Sequence, residues 1–213
     1  MLILGFMGSP SVKGKCSRLL QKALDGARAG GAAVKQYDLV SFDIRHCKGC
    51  GACFKTRPEL AIGPCPLKDD MAAILEEYDR ADGYVYASPV YDGYVTSIMK
   101  KFLERKIALT YKSPEEQGKV PSPRRPVGFR KKVSYIVTGD AADEYQEIMG
   151  DPCFVAMDWH HMLEQVESLD RLYVGSAECI SAEEFARREA LAFELGGRLV
   201  EEIKAVAEAD SAS

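Results

Sequence analysis

The sequence predicts an α/β fold: a doubly wound parallel sheet with helices on both faces. Three observations carry that prediction. Five short apolar or alternating runs are separated by segments whose apolar residues recur at helical spacing. The first run, Leu2–Met7 (LILGFM), is apolar almost throughout, as a strand buried on both faces must be. Three loops that follow strand candidates, Gly8–Ser17, Ser88–Gly93 and Thr138–Asp140, are rich in Gly, Ser, Thr, Pro or Asp. In such sheets ligands sit beyond the carboxyl ends of the strands, where small residues let the backbone come close.

The elements follow in order. After the Leu2–Met7 strand, a helix spans Cys16–Arg28, with Leu19, Leu20, Ala23, Leu24 and Ala27 on one side and Gly30-Gly31 as its stop. Ala33–Leu39 alternates and reads as the second strand. A Cys- and Gly-rich connection, Val40–Leu67, leads to Asp69-Asp70, an N-cap signal for a helix over Met71–Arg80. Asp82–Ser88 is the third strand, Pro89–Gly93 a loop, and Val95–Lys106 a helix with Ile98, Met99, Phe102 and Leu103 apolar. Lys112–Lys131 is polar and rich in Pro, Lys and Arg, which reads as a surface excursion or a lid. Lys132–Thr138 is the fourth strand. Helical pattern over Ala141–Gln165 is interrupted near Gly150-Asp151-Pro152. Leu169–Val174 is the fifth strand, and Ala182–Ala207 the last helix. The organisation is one domain over residues 1–207, with a Cys-rich insertion at 45–68, a polar excursion at 112–131 and a frayed tail at 208–213.

The totals bound the function. A length of 213 residues suits one good core. The net charge of −4 makes a nucleic acid a poor partner. No run approaches the ~18 apolar residues of a membrane span, and Met1–Met7 lacks the features of a signal peptide. A cytoplasmic protein is the expectation. Seven cysteines, an odd number, fit poorly with a fully paired secreted framework.

The first loop reads as a phosphate site. A buried strand, a small-residue loop and a helix N-terminus aim free N–H groups and the helix dipole at one spot. Ser9, Ser11 and Ser17 add hydroxyls, and Lys13 and Lys15 add charge. The loop is no Walker A motif, no G-x-G-x-x-G is present, and no G-x-S-x-G elbow occurs anywhere.

Four of the cysteines fall within nineteen residues: Cys47-x2-Cys50-x2-Cys53, then eleven residues, then Cys65. Three thiolates at two-residue spacing converge on one centre, with Gly49 and Gly51 permitting the tight turn. With the fourth they suit a [4Fe-4S] cluster or a tetrahedral zinc; free thiols or a disulfide are the third reading. The C-x2-C-x2-C run favours the cluster. Cys153 and Cys179 read as small buried hydrophobes, and Trp159 as a core or interface anchor beside His160 and His161, which point in different directions on a helix.

Gly8-Ser9-Pro10 with Gly14, CKGCGACF at Cys47–Phe54, Cys65–Met71 (CPLKDDM) and Ala87-Ser88-Pro89-Val90-Tyr91 together resemble the flavodoxin-like NAD(P)H-dependent FMN reductase family, in the branch that contains the iron–sulfur flavoproteins. The resemblance covers about the first 105 residues. It implies a flavodoxin-like five-stranded sheet of order 2-1-3-4-5 and a bound FMN. Its phosphate would lie near Ser9, Ser11, Lys15, Cys16 and Ser17, although Gly14-Lys15-Cys16 stands where relatives carry a Gly-Asn-Thr-like run. Pro89, Val90, Tyr91, Asp92 and Gly93 would line the isoalloxazine, and Thr138, Gly139 and Asp140 would supply the third loop. The same resemblance implies an FMN-dependent oxidoreductase taking electrons from NAD(P)H or a ferredoxin-type donor, a homo-oligomer (dimer or tetramer), and Cys47, Cys50, Cys53 and Cys65 as cluster ligands. The resembled motif is more compact before its last cysteine, so Lys55–Pro64 is an insertion. No side chain is expected as an essential acid or base, because the flavin carries the chemistry. A non-enzymatic electron carrier and a metal-stabilised binding module are the rival classes.

Overall fold

In the computed structural model, which describes residues 1–211, five parallel strands form the sheet: β1 (Leu2–Met7), β2 (Ala33–Asp38), β3 (Gly83–Tyr91), β7 (Lys132–Thr138) and β8 (Glu167–Val174). Their order is β2-β1-β3-β7-β8, which is 2-1-3-4-5 when the parallel strands alone are counted. β4 (Tyr94–Val95) adds an antiparallel stub to β3, and β5 (Thr110–Tyr111) pairs with β6 (Ser122–Pro123) outside the sheet. Register is fixed by the buried pattern, with Leu4 opposite Lys35 on one side and opposite Tyr84 on the other.

Successive residues of each strand feed opposite faces. Leu4, Phe6, Tyr84, Tyr86 and Tyr135 enter an aromatic-rich core with α3 (Met71–Arg80), α4 (Ser97–Arg105) and α6 (Asp151–Glu164). Ile3, Met7, Val85 and Ile136 enter an aliphatic core with α1 (Lys15–Ala29) and α7 (Ala182–Ser211). α1 and α7 cross so closely that a Cβ on Gly196 would fall 1.8 Å from Ala23 O, and one on Gly26 would fall 1.9 Å from Phe193 O. Only glycine permits that crossing.

Several expectations need correction. Pro89–Gly93 is not a loop: β3 runs on to Tyr91, turns at Asp92-Gly93 and returns as β4, with Tyr91 opposite Tyr94. Asp92 (φ 51°) and Gly93 (φ 69°) supply the two left-handed positions that a two-residue hairpin needs. The excursion at 112–131 is more ordered than its composition suggests, because β6 and a capping box at Ser113–Glu116 lie within it. The expected interruption of the helical stretch is present: it breaks at Gly150, into α5 (Gln146–Met149) and α6. α7 continues past Ala207 to Ser211, so the expected fraying does not begin at 208; Ala212 and Ser213 lie outside the described residues. No helix among the described residues is long and apolar enough to cross a membrane.

Candidate functional site

β1 ends at Met7 and delivers the chain to a loop at the carboxyl edge of the sheet. Gly8 N–H donates to Ala87 O at 2.8 Å, which ties this loop to β3. A Cβ on Gly8 would lie 2.7 Å from Met99 Cβ, so this position must be glycine. Thr96, which the sequence reading missed, locks the two neighbouring loops together: its hydroxyl donates to Gly8 O and accepts from Met99 N at 3.1 Å, capping α4. Its own N–H donates to Ser88 Oγ at 3.3 Å.

α1 starts after Gly14 with no side-chain cap. The N–H groups of Lys15, Cys16 and Ser17 have no acceptor among the described residues, as the first turn of an uncapped helix requires. Ser17 is 1 % exposed and its Oγ has no hydrogen-bond partner. Ser9 is also buried, and its Oγ accepts from Ser11 N at 3.1 Å. This is a cradle of donors lacking an acceptor, at the positive end of a 15-residue helix.

Other expected ligands behave differently. The side chain of Cys16 is packed in the aliphatic core, where burial pushes its thiol up to about 12, so only its N–H faces the loop question. Lys15 reaches away to Glu178 O at 3.5 Å. Tyr91 is 53 % exposed at the hairpin, so its ring is no packed core aromatic. In the third loop Thr138 is buried, and Gly139 N–H donates to Val174 O at 3.0 Å. That amide is therefore taken, and Gly139 serves to fasten the loop to the end of β8. Asp140 is exposed.

The four clustered cysteines share one cavity of about 500 Å³, walled by the cysteine loop, α4 and α6. Gly49 (φ 63°) and Gly51 (φ 75°) give the turns that wrap Cys47, Cys50 and Cys53 around it, and Cys53 lies in the first turn of α2 (Ala52–Lys55). Cys53 is buried, and desolvation followed by the neighbouring thiols pushes it up to about 11. Cys65 returns to the same cavity in spite of the insertion. All seven cysteines are free thiols. Among the described residues, no three metal-ligating side chains stand close enough to hold one ion. Four thiols around one cavity are the donor set of either a [4Fe-4S] cluster or a tetrahedral zinc. None of the phosphate-loop, hairpin or third-loop residues lines this cavity.

Two charge clusters built on Arg105 and Lys106, which the sequence reading missed, lie beside and behind the cysteine cavity. Arg105, 4 % exposed, forms a bidentate pair with Asp69, donates to Arg45 O at 2.9 Å and has Nη2 3.5 Å from Cys65 Sγ. Asp69 also accepts from Arg45 N, and Asp70 accepts from Asp43 N at 2.8 Å. Asp70 makes no side-chain cap, so these carboxylates chiefly anchor the start of the cysteine connection; Asp69 Oδ1 keeps a weaker bond to Met71 N. Deeper, Lys106 Nζ lies 3.0 Å from Glu164 Oε1 and 3.1 Å from His161 Nε2, and His161 Nδ1 meets Tyr135 OH at 2.8 Å. Burial holds His161 neutral far below the usual imidazole range, and takes His160 down to about 3. His161 faces the core and His160 lines the cavity, so the adjacent pair does split as expected. Trp159 is not a core anchor: it stands 54 % exposed at the cavity's rim. Cys153 is buried as expected, but Cys179 is exposed.

The sequence model of the NADPH-dependent FMN reductase family matches residues 1–162. An iron-sulfur flavoprotein from Archaeoglobus fulgidus is 34% identical over 119 residues, covering 56% of this chain and 51% of that protein. One from Methanosarcina thermophila is 32% identical over 120 residues, covering 56% of this chain and 60% of that protein. The chain thus spans about half the length of the curated relatives it matches. Among solved structures, an NAD(P)H:quinone oxidoreductase from Methanothermobacter marburgensis superposes with TM-score 0.68 at 16% identity, covering 93% of this chain and 98% of that one. An FMN-dependent NADH-azoreductase from Bacillus anthracis, in complex with FMN, gives TM-score 0.68 at 12% identity, covering 94% and 100%. At such identities the structures establish the flavodoxin-like fold.

Proposed function

The chain belongs to the NADPH-dependent FMN reductase family, and we propose that it is a flavin-dependent oxidoreductase whose flavin is FMN. The observation that carries this reading is the uncapped start of α1: unsatisfied amides at Lys15, Cys16 and Ser17 beside the orphaned, buried Ser17 hydroxyl. A dianionic phosphate supplies the acceptors that this cradle lacks. Ser9 and Ser11 shape the loop from its outer side, and Thr96 holds it against β3. The exposed hairpin Tyr91–Tyr94 is the surface for the isoalloxazine, with Pro89 and Val90 below it and the Asp92 and Gly93 amides at the turn. Thr138 and Asp140 border the site from the third loop, with Gly139 as its tether.

When bound, FMN supplies the redox chemistry, accepting hydride from NAD(P)H and passing electrons onward. The residues of this chain bind and orient it. We assign no side chain as an obligatory acid or base. We further propose that Cys47, Cys50, Cys53 and Cys65 hold a [4Fe-4S] cluster. The four thiols share one cavity, the C-x2-C-x2-C run favours a cluster over a single ion, and Arg105 presents an N–H to Cys65.

Anaerobic purification followed by a visible spectrum, FMN and iron assays and stopped-flow mixing with NADH and NADPH tests this reading. The expected result is a flavin spectrum with a broad iron–sulfur shoulder, bleached by at least one nicotinamide. Bleaching by reduced ferredoxin but by neither nicotinamide would replace the enzyme with an electron carrier. A colourless protein that takes up no added FMN would leave a binding module.

A further inference from the structure

The insertion lengthens the chain between Cys53 and Cys65, and residues 56–64 form no helix or strand of their own. Something outside the cysteine segment must therefore set the position of both thiols. That anchor comes from the excursion at 112–131. Arg124 follows β6, where its N–H donates to Leu109 O at 2.9 Å. Its side chain reaches into the insertion and uses all five N–H donors of the guanidinium on main-chain carbonyls. Nη2 donates to Cys53 O at 2.8 Å and to Thr56 O at 2.7 Å, Nη1 to Arg57 O and to Leu60 O at 3.1 Å, and Nε to Thr110 O at 3.0 Å. The guanidinium lies over the Tyr111 ring, its carbon 5.5 Å from the ring centre.

Two further features mark the junction as built. Gly63 packs so tightly that a Cβ would fall 1.7 Å from Cys53 O and 2.8 Å from Arg124 Nη2. Its N–H donates to Ala108 O at 2.7 Å, while Lys112 N–H donates to Phe54 O at 2.8 Å. The Cys53, Phe54 and Thr56 carbonyls at the end of the short cysteine-bearing turn are thus met from the excursion. Among the described residues no carboxylate pairs with Arg124, in contrast to Arg105. Its charge is left to act on the carbonyl dipoles and on any anionic group next to them.

We propose that Arg124 is the positioning residue of the cysteine centre. Its guanidinium fastens the turn that carries Cys53 to the inserted segment that delivers Cys65, so that thiols eleven residues of chain apart face one cavity. The proposal rests on reading the four cysteines as one centre. Lysine cannot replace the arginine, because a point ammonium with three donors cannot span five carbonyls.

The test is the alkylation rate of each cysteine in the full-length protein, read by mass spectrometry, with and without prior iron removal by a chelator. In Arg124→Gln, Cys53 should react roughly tenfold faster or more, the scale expected for losing charge-assisted bonds. Cys16 and Cys153, buried in other parts of the core, should stay slow and so report on the global fold. Arg124→Lys should behave like Arg124→Gln, and millimolar methylguanidinium added to Arg124→Gly should restore slow alkylation of Cys53. Unchanged Cys53 reactivity in Arg124→Gln and Arg124→Lys would overturn the proposal. So would equal acceleration of Cys16 and Cys153 in both variants, which is general unfolding. Iron content separates the two readings: anaerobically purified wild-type protein without iron defeats the cluster, while the alkylation comparison still judges Arg124.

Discussion

The loop at the start of α1 and the cysteine cavity are assembled in opposite ways. The loop is local: strand end, small residues and helix start follow one another within Met7–Ser17, and its donors are main-chain amides fixed by the fold together with the Ser17 hydroxyl. The cavity is assembled from a distance. Cys53 and Cys65 come from a connection with little regular structure, and side chains from α4 and from beyond β6 hold it in place. The first needs the correct local backbone and one adjacent hydroxyl, Ser17. The second depends on individual long-range hydrogen bonds, so single substitutions should damage it more selectively.

The largest effect that follows from this difference is at Arg105. Its guanidinium and Asp69 carboxylate are both almost completely buried, with side chains 3 % and 0 % exposed. Removing one partner of a buried pair leaves an unpaired charge and costs about 3–5 kcal/mol. Arg105→Ala should lower the urea midpoint accordingly, whereas a surface pair such as Arg187–Glu183 should be silent on removal. A urea midpoint for Arg105→Ala within error of wild type would mean that the cavity does not depend on this anchor.

The buried histidines set an acid limit. In the unfolded chain each histidine takes up a proton below about pH 6.5, but burial, with Lys106 adding to it, keeps His161 neutral in the folded protein. The unfolded state then binds more protons, so stability falls as pH drops from about 6.5, by up to about 1.4 kcal/mol per pH unit for each such group. Glu164, raised by burial, works in the opposite sense, but His160 and His161 act together. Unfolding midpoints at pH 7 and pH 5 should differ, and the difference should shrink in His161→Asn.

A smaller effect is expected at Thr96, whose hydroxyl caps α4 and holds Gly8. Thr96→Ala should cost about 1 kcal/mol of stability and weaken FMN binding a few-fold, while cysteine alkylation rates stay as in wild type. Faster Cys53 alkylation in that variant would show that the two regions are coupled through α4.

The same contrast explains what the sequence revealed. The strands, the helices and the alternation of the two cores follow from periodicity, the strand order came from the resemblance, and the phosphate-type loop could be read because all its parts are adjacent in the chain. The hairpin at Asp92-Gly93 carried a recognisable signal, an Asp-Gly pair between aromatic residues, but the apolar run around it looked like the end of a strand and a loop. Arg105 and Arg124 carried no signal. Their partners lie 36 and up to 71 residues away, and an arginine in a polar stretch looks like any solvated charge. Cys16 was misleading in the opposite sense: its place in the loop suggested a ligand, whereas helix geometry turns its thiol into the core.

The central claim is that the first turn of α1 is made for a phosphate. FMN and riboflavin differ only in that group, so their dissociation constants for the apoprotein, measured by fluorescence quenching, test it most directly. FMN should bind about 100-fold more tightly, equivalent to ~2.7 kcal/mol, and Ser17→Val should narrow that gap by roughly tenfold while leaving riboflavin unaffected. Equal affinity for the two flavins would contradict the account.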